Sequence, residues 1–258
     1  MGLLDDVKAD IKSKNLGCEN LYIPTYLTGI DSIDYRNGFY DEDGSIRLGI
    51  DGGKMMTIIG KSGVGKSTLA LQIAGRIIDL NENSDLVYLD YERTLKPSRI
   101  STITGWSEAK RIEKSLVLNS EISTETLLAL VYSISQNKNK KETYDQIKID
   151  SGKVDRDGKK IYVLPPTVII TDSIATMIPK DFADGSDISG SMEASQIAKI
   201  NNQVIKKSLQ YLEKGNIILI AINHITTNIQ TGPIKESAQI NFLKQGETLP
   251  GKHKHCLA

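Results

Sequence analysis

The sequence predicts an α/β fold with a mainly parallel sheet flanked by helices, and three observations lead to it. Apolar runs of strand length alternate with stretches of helical periodicity, the order from which parallel sheets are built. The later runs close on Asp90, Asp172 and Asn223-His224, and in open parallel sheets the carboxyl ends of strands carry the ligands. Between the first run and the first helix lies Gly60-Lys61-Ser62-Gly63-Val64-Gly65-Lys66-Ser67-Thr68. It matches the phosphate-binding loop, Gly, four residues, Gly-Lys-Ser/Thr, at every fixed position.

The 258 residues suffice for one large domain or two small ones. Lysine plus arginine equals aspartate plus glutamate, 32 each, so no global field favours nucleic acid, and any such site is a local patch. The two cysteines, Cys18 and Cys256, lie far apart, which implies no disulfide framework and fits a reducing cytosol. No run approaches the ~18 apolar residues of a membrane span, and Asp5 and Asp6 stand where a signal peptide carries positive charge. A cytoplasmic protein with no membrane partner is expected.

In chain order, Leu3, Leu4, Val7 and Ile11 fall at helical spacing over residues 2–14. This amphipathic helix either packs on its own domain or docks on a neighbouring subunit. Asn15 to Pro24 reads as a linker, so residues 1–24 form an N-terminal segment and 25–258 the core. Thr28 to Asp34 begins a second short helical piece, and Gly38 to Gly53, rich in Gly and Asp, reads as loops or a hairpin.

Met55-Met56-Thr57-Ile58-Ile59 is a buried strand by its β-branched, apolar run. The glycines that follow let the backbone wrap an anion without Cβ clashes. Successive N–H groups and a helix N-terminus then point at phosphates. Lys66 is placed to reach the β- and γ-phosphates of a nucleotide and Ser67 to ligate Mg²⁺. Leu69, Ile73, Ile77 and Leu80 continue as a helix.

Leu86-Val87-Tyr88-Leu89-Asp90 is a second strand, with Glu92 just past its tip. Residues 97–113 suggest helix and turn, and a helix starts at Ser123-Thr124-Glu125 and runs through Ile134. Residues 137–160 hold eight Lys/Arg and five Asp/Glu. They read as a hairpin or flexible surface insertion, whose lysines either contact nucleic acid or form a solvated face. Thr167 to Asp172 is a third strand whose terminal aspartate is placed to hold Mg²⁺. Residues 179–192, with three aspartates, Gly185 and Gly190, read as a mobile loop, followed by a long helix over 193–213. Ile217 to Ile222 is a fourth buried strand ending in Asn223-His224. From Thr226 to Lys254 no periodicity is strong, and a second long loop is expected. His253, His255 and Cys256 are either metal ligands or a plain loop end.

The order of these motifs resembles the RecA family of recombinases, and within it the phage UvsX-like group. The residues that carry the resemblance are the phosphate loop, Leu89-Asp90-Tyr91-Glu92, Ile170-Thr171-Asp172-Ser173, Ile220-Ala221-Ile222-Asn223-His224 and Leu249-Pro250-Gly251-Lys252. Thr28 to Asp34 also looks like the family's segment before its core. The likeness covers about residues 25–258 and implies a RecA-like P-loop NTPase core.

The resemblance further implies a DNA-dependent ATPase that binds single-stranded DNA as a self-associated filament. Such a protein pairs that DNA with duplex DNA in recombination and repair, in a bacterial or phage-infected host cytosol. It implies that Glu92 activates the attacking water and that Asn223 and His224 sense the γ-phosphate. Loops 179–192 and 226–251 would line the DNA path, and Lys96 and Arg99 would meet the adenine. A RecA-fold replicative helicase and a non-catalytic, nucleotide-gated DNA-binding mediator are the alternatives. Lys252 stands where the family has a second glycine, and the family continues with further strands beyond this loop. The chain is therefore expected to be a truncated product, a fragment, or a piece ending at the intein-like Cys256-Leu257-Ala258.

Overall fold

The computed structural model describes residues 22–41, 44–155, 158–183, 191–227 and 247–248, with backbone alone at 191–194, 226–227 and 247–248. Its centre is a five-stranded, all-parallel sheet. The strands are β1 (Met55–Gly60), β2 (Asp85–Asp90), β3 (Ser115–Leu118), β4 (Thr167–Asp172) and β5 (Ile217–His224), in the spatial order β1-β5-β4-β2-β3. Register aligns Asp172 with Asp90 and His224 with Gly60, so the polar tips share the sheet's carboxyl edge.

The middles of β2, β4 and β5 are apolar because helices cover both faces. Successive side chains alternate between two cores. Leu86, Tyr88, Val168, Ile170, Ile218, Ile220 and Ile222 face one core. They meet Ala70, Leu71, Ile73, Ala74 and Ile77 of helix α1 (Lys66–Leu80) there. Val87, Leu89, Ile169, Ile217, Leu219 and Ala221 face the other. On that side Leu127 and Val131 come from a helix over Thr124–Lys138, and Val204 and Leu212 from one over Ser191–Gly215. A buried Leu, Ile or Val stabilises by roughly 1.5–3 kcal/mol relative to exposure, so these two layers fix the orientation of every strand tip.

After α1 come α2 (Pro97–Thr104), α3 (Glu108–Lys114), α4 (Thr124–Lys138), α5 (Lys141–Ile147) and α6 (Ser191–Gly215). Local chemistry sets their ends. Pro97 starts α2 at a position whose N–H has no helical partner, and Gly105, at φ +75°, ends it. The Ser107 side chain accepts from Lys110 N to cap α3. Thr126 Oγ1 accepts from Ser123 N at the start of α4.

The residues before β1 form a hairpin of Phe39–Tyr40 with Ile46–Arg47, as the glycine- and aspartate-rich stretch suggests, and Thr25–Tyr26 pairs with Ile50–Asp51. The short helical piece is Asp31–Arg36.

Two elements depart from the sequence reading. Strand β3 was not expected: Ser115–Leu118 is four residues long, at the sheet edge, and its side chains are half-buried or exposed. The charged stretch 137–160 is not hairpin alone, because α5 precedes the hairpin of Ile149–Val154 with Lys160–Val163. Lys148 joins the two pieces, its ammonium lying 5.6 Å from the Tyr144 ring centre and 5.1 Å from that of Tyr162. The expected N-terminal helix over 2–14, most of loops 179–192 and 226–251, and the 253–256 cluster lie outside the described residues. Of the second loop, Thr226–Thr227 pairs antiparallel with Glu247–Thr248. Among the described residues no helix is long and apolar enough to cross a membrane.

Candidate active site

The phosphate loop leaves β1 at Gly60 and enters α1 at Lys66. Gly63 and Gly65 adopt φ of +77° and +89°, values that L side chains rarely tolerate. They turn the chain through a tight arc, and Lys61, Ser62, Gly63, Val64 and Gly65 are all exposed at its tip. An anion can therefore reach the loop from solvent.

Lys66 lies beneath that arc and is 7 % exposed. Its Nζ donates to Lys61 O at 2.8 Å and lies 3.2 Å from His224 Nδ1. Burial lowers its pKa, and the carboxylates of Asp172 and Glu92 act in the opposite direction. The ammonium's present partners, a carbonyl and an imidazole nitrogen, are neutral, and an anion at the loop would make the stronger, charge-assisted hydrogen bond.

Ser67 Oγ donates to Asp172 Oδ2 at 2.6 Å. The motif thus joins the tip of β4 although the residues are 105 positions apart. Tyr88 OH donates to the same Asp172 oxygen at 2.6 Å, from a fully buried ring on the neighbouring strand.

Glu92 is set by the turn after β2. Asp90, itself fully buried, accepts from Thr94 N and Leu95 N, and Glu92 N donates to Asp172 O at 3.2 Å. The Glu92 carboxylate meets His224, Oε1 to Nε2 at 2.7 Å. His224 therefore bridges Lys66 and Glu92. An ammonium can only donate, so Nδ1 of His224 accepts, Nε2 carries the hydrogen, and the imidazole donates to Glu92. Asn223 is buried, and its Oδ1 accepts from His224 N at 2.9 Å. One residue on, Ile225 N donates to Gly60 O at 3.2 Å, which ties the exit of β5 to the phosphate loop.

The phosphate loop and the acidic and polar strand tips singled out in the sequence are placed around this edge, whereas Leu249-Pro250-Gly251-Lys252 lies outside the described residues. Lys66, Ser67, Glu92, Asp172 and His224 come together. Arg99 lies nearby on α2, where its guanidinium donates to Thr68 Oγ1 at 3.1 Å, and exposed Lys96 immediately precedes α2. Tyr88 carries no role in the sequence reading, and Asp90 none beyond closing its strand. For Asp90 a signal existed, an acid closing an apolar strand ahead of a polar turn. For Tyr88 none did, because an aromatic residue inside an apolar strand reads as core.

The donor set bears on which cation the site can hold. Ligating atoms of Glu92, Asp172 and His224 lie within 4.8 Å of one another. A metal on His224 Nε2 would force the ring hydrogen onto Nδ1, against the Lys66 ammonium, so the histidine is poorly disposed as a ligand. The oxygens of Ser67 and Asp172 are hard donors beside a phosphate loop and suit Mg²⁺. Comparison of the chain with protein-family models and with curated proteins finds no match.

Proposed function

We propose that this protein is a DNA-dependent ATPase of the RecA type, resembling the phage UvsX-like recombinases. It would assemble as a filament on single-stranded DNA, pair that strand with a homologous duplex, and turn over ATP with Mg²⁺. One observation carries the reading: Lys66, Ser67, Asp172, Glu92 and His224 converge at the mouth of a glycine loop, on the carboxyl edge of a parallel sheet. Five of the residues that carry the resemblance in sequence, Lys66, Ser67, Glu92, Asp172 and His224, support it by meeting in space.

The reading assigns each group a task. Loop N–H groups and the start of α1 receive the phosphates, and Lys66 moves from Lys61 O and His224 to the β- and γ-phosphates. Ser67 and Asp172 hold Mg²⁺, which when bound neutralises charge on the phosphate oxygens. Glu92 accepts a proton from the attacking water. Before nucleotide arrives, the imidazole of His224 holds the Glu92 carboxylate. Once Lys66 turns to the phosphates, Nδ1 of His224 loses its donor, and the ring is free to report the γ-phosphate to the chain beyond Ile225. That chain is the second long loop, the expected DNA contact.

The test is ATP turnover with and without single-stranded DNA, together with the shape of the assembly in electron micrographs. The proposal expects stimulated turnover and filaments. Unstimulated turnover or hexameric rings would favour the helicase reading, and DNA binding gated by nucleotide without any turnover would favour a mediator.

A further inference from the structure

We propose that Tyr88 is a positioning residue for the site's divalent cation, acting through Asp172. The inference rests on the nucleotide-binding reading above and deepens it. Tyr88 is 1 % exposed, and its hydroxyl donates at 2.6 Å to Asp172 Oδ2. Burial first, then the neighbouring Asp172 carboxylate, raises the phenol's pKa, so it stays a hydrogen donor across the physiological range.

Asp172 Oδ2 thus takes two short O–H donors, Tyr88 and Ser67, and the side chain is 3 % exposed. Both bonds fall on one oxygen, and Oδ1 has no donor among the described residues. A carboxylate fixed this way keeps one oxygen for an ion and cannot swing to present the other.

The two donors are not equivalent. Ser67 Oγ is itself a cation ligand in the proposed site, so its direction changes when an ion arrives. Tyr88 is not: its ring is buried in the same core cluster as Leu86, Ile170 and Ala70, so its hydroxyl is held by packing rather than by the ion. Cross-strand register supports this, since Tyr88 pairs with Ile170 and Asp90 with Asp172. The phenol reaches along the sheet from one pair to the next. Outer-shell donors of this kind typically contribute 10–100-fold to metal affinity.

The test is Tyr88→Phe, which keeps the packed ring and removes only the hydroxyl. Asp172 retains Ser67 as a donor, so folding should be intact, and a thermal melt without ligand checks it. Binding of a fluorescent ATP analogue is titrated with Mg²⁺ and repeated in chelator. Expected is a rise of roughly 10–100-fold in the Mg²⁺ needed for half-maximal tight binding, with unchanged affinity in chelator. In an Asp172→Asn background, Tyr88→Phe should add nothing further. An unchanged Mg²⁺ requirement overturns the inference. So does an equal loss with and without Mg²⁺, which marks a role in packing alone, or full additivity with Asp172→Asn. If the unsubstituted protein binds no nucleotide under any condition, the nucleotide reading itself fails and the role of Tyr88 falls with it.

Discussion

Replacing Lys138 with methionine should change how stability depends on pH, and the structure fixes the sign. Lys138 ends α4 and is 8 % exposed. Its Nζ donates to Pro165 O at 2.6 Å and Gly215 O at 3.1 Å, at the amino edge of the sheet. Burial pushes its pKa down to about 7, while Asp85 pulls the other way. In the unfolded chain the amine keeps an ordinary pKa of about 10.4. Between about pH 7 and 10 the unfolded state therefore binds more protons than the folded one, and stability rises with pH. Below pH 7 both states are protonated, and the cost of burying the charge is fully present.

The rise is about 1.4 kcal/mol per pH unit, hence roughly 2–3 kcal/mol between pH 7 and 9. Methionine fills the stem's space but leaves two carbonyls without their donor, at about 1–3 kcal/mol. The stability of the unsubstituted protein minus that of Lys138→Met should thus widen by about 2–3 kcal/mol from pH 7 to 9. Urea unfolding at pH 6, 7, 8 and 9 measures it. A difference that stays flat over that range would refute the reasoning, because it would mean the amine is not desolvated.

Lys66→Ala should weaken ATP binding by roughly 10–100-fold, the loss of a charged hydrogen bond to phosphate, and isothermal calorimetry reads it directly. Glu92→Gln should retain ATP and Mg²⁺ while turnover falls by roughly 10²-fold or more; if Asp172→Asn alone behaves that way in a phosphate-release assay, the base is misassigned. Asp34→Ala should cost about 2–4 kcal/mol in urea unfolding, because buried Asp34 accepts from Thr28 N, Thr28 Oγ1 and Gly29 N and alanine removes the acceptor for all three.

The sheet was legible where the physics is local. Residues 168–170 and 217–222 are apolar at every position because both faces are buried, and that pattern survives in one dimension. Ser115–Leu118 left no such mark. A four-residue edge strand needs few apolar side chains, and it follows a charged helix. Helix α5 was hidden by its own solubility, since none of its residues is buried.

In the site, the phosphate loop and the strand-tip acids were visible as residue types. Their mutual contacts were not, because the Lys66–His224 and Glu92–His224 pairs span 158 and 132 positions. Lys138 looked like one more lysine in a charged stretch. Only the meeting of α4 with the starts of β4 and β5 buries it.

The central claim, that nucleotide state governs DNA binding through the tip of β5, is tested most directly by single-stranded DNA affinity at fixed salt, with ADP and with a non-hydrolysable ATP analogue. Salt must be held constant because phosphate contacts make affinity steeply salt-dependent. A coupling of ~1–3 kcal/mol predicts roughly 5–150-fold tighter DNA binding with the analogue. By linkage, DNA should tighten analogue binding by the same factor. His224→Ala should bind the analogue through Lys66 yet reduce the ratio to one. Equal DNA affinity in the two nucleotide states of the unsubstituted protein, or a full ratio surviving in His224→Ala, would contradict the account.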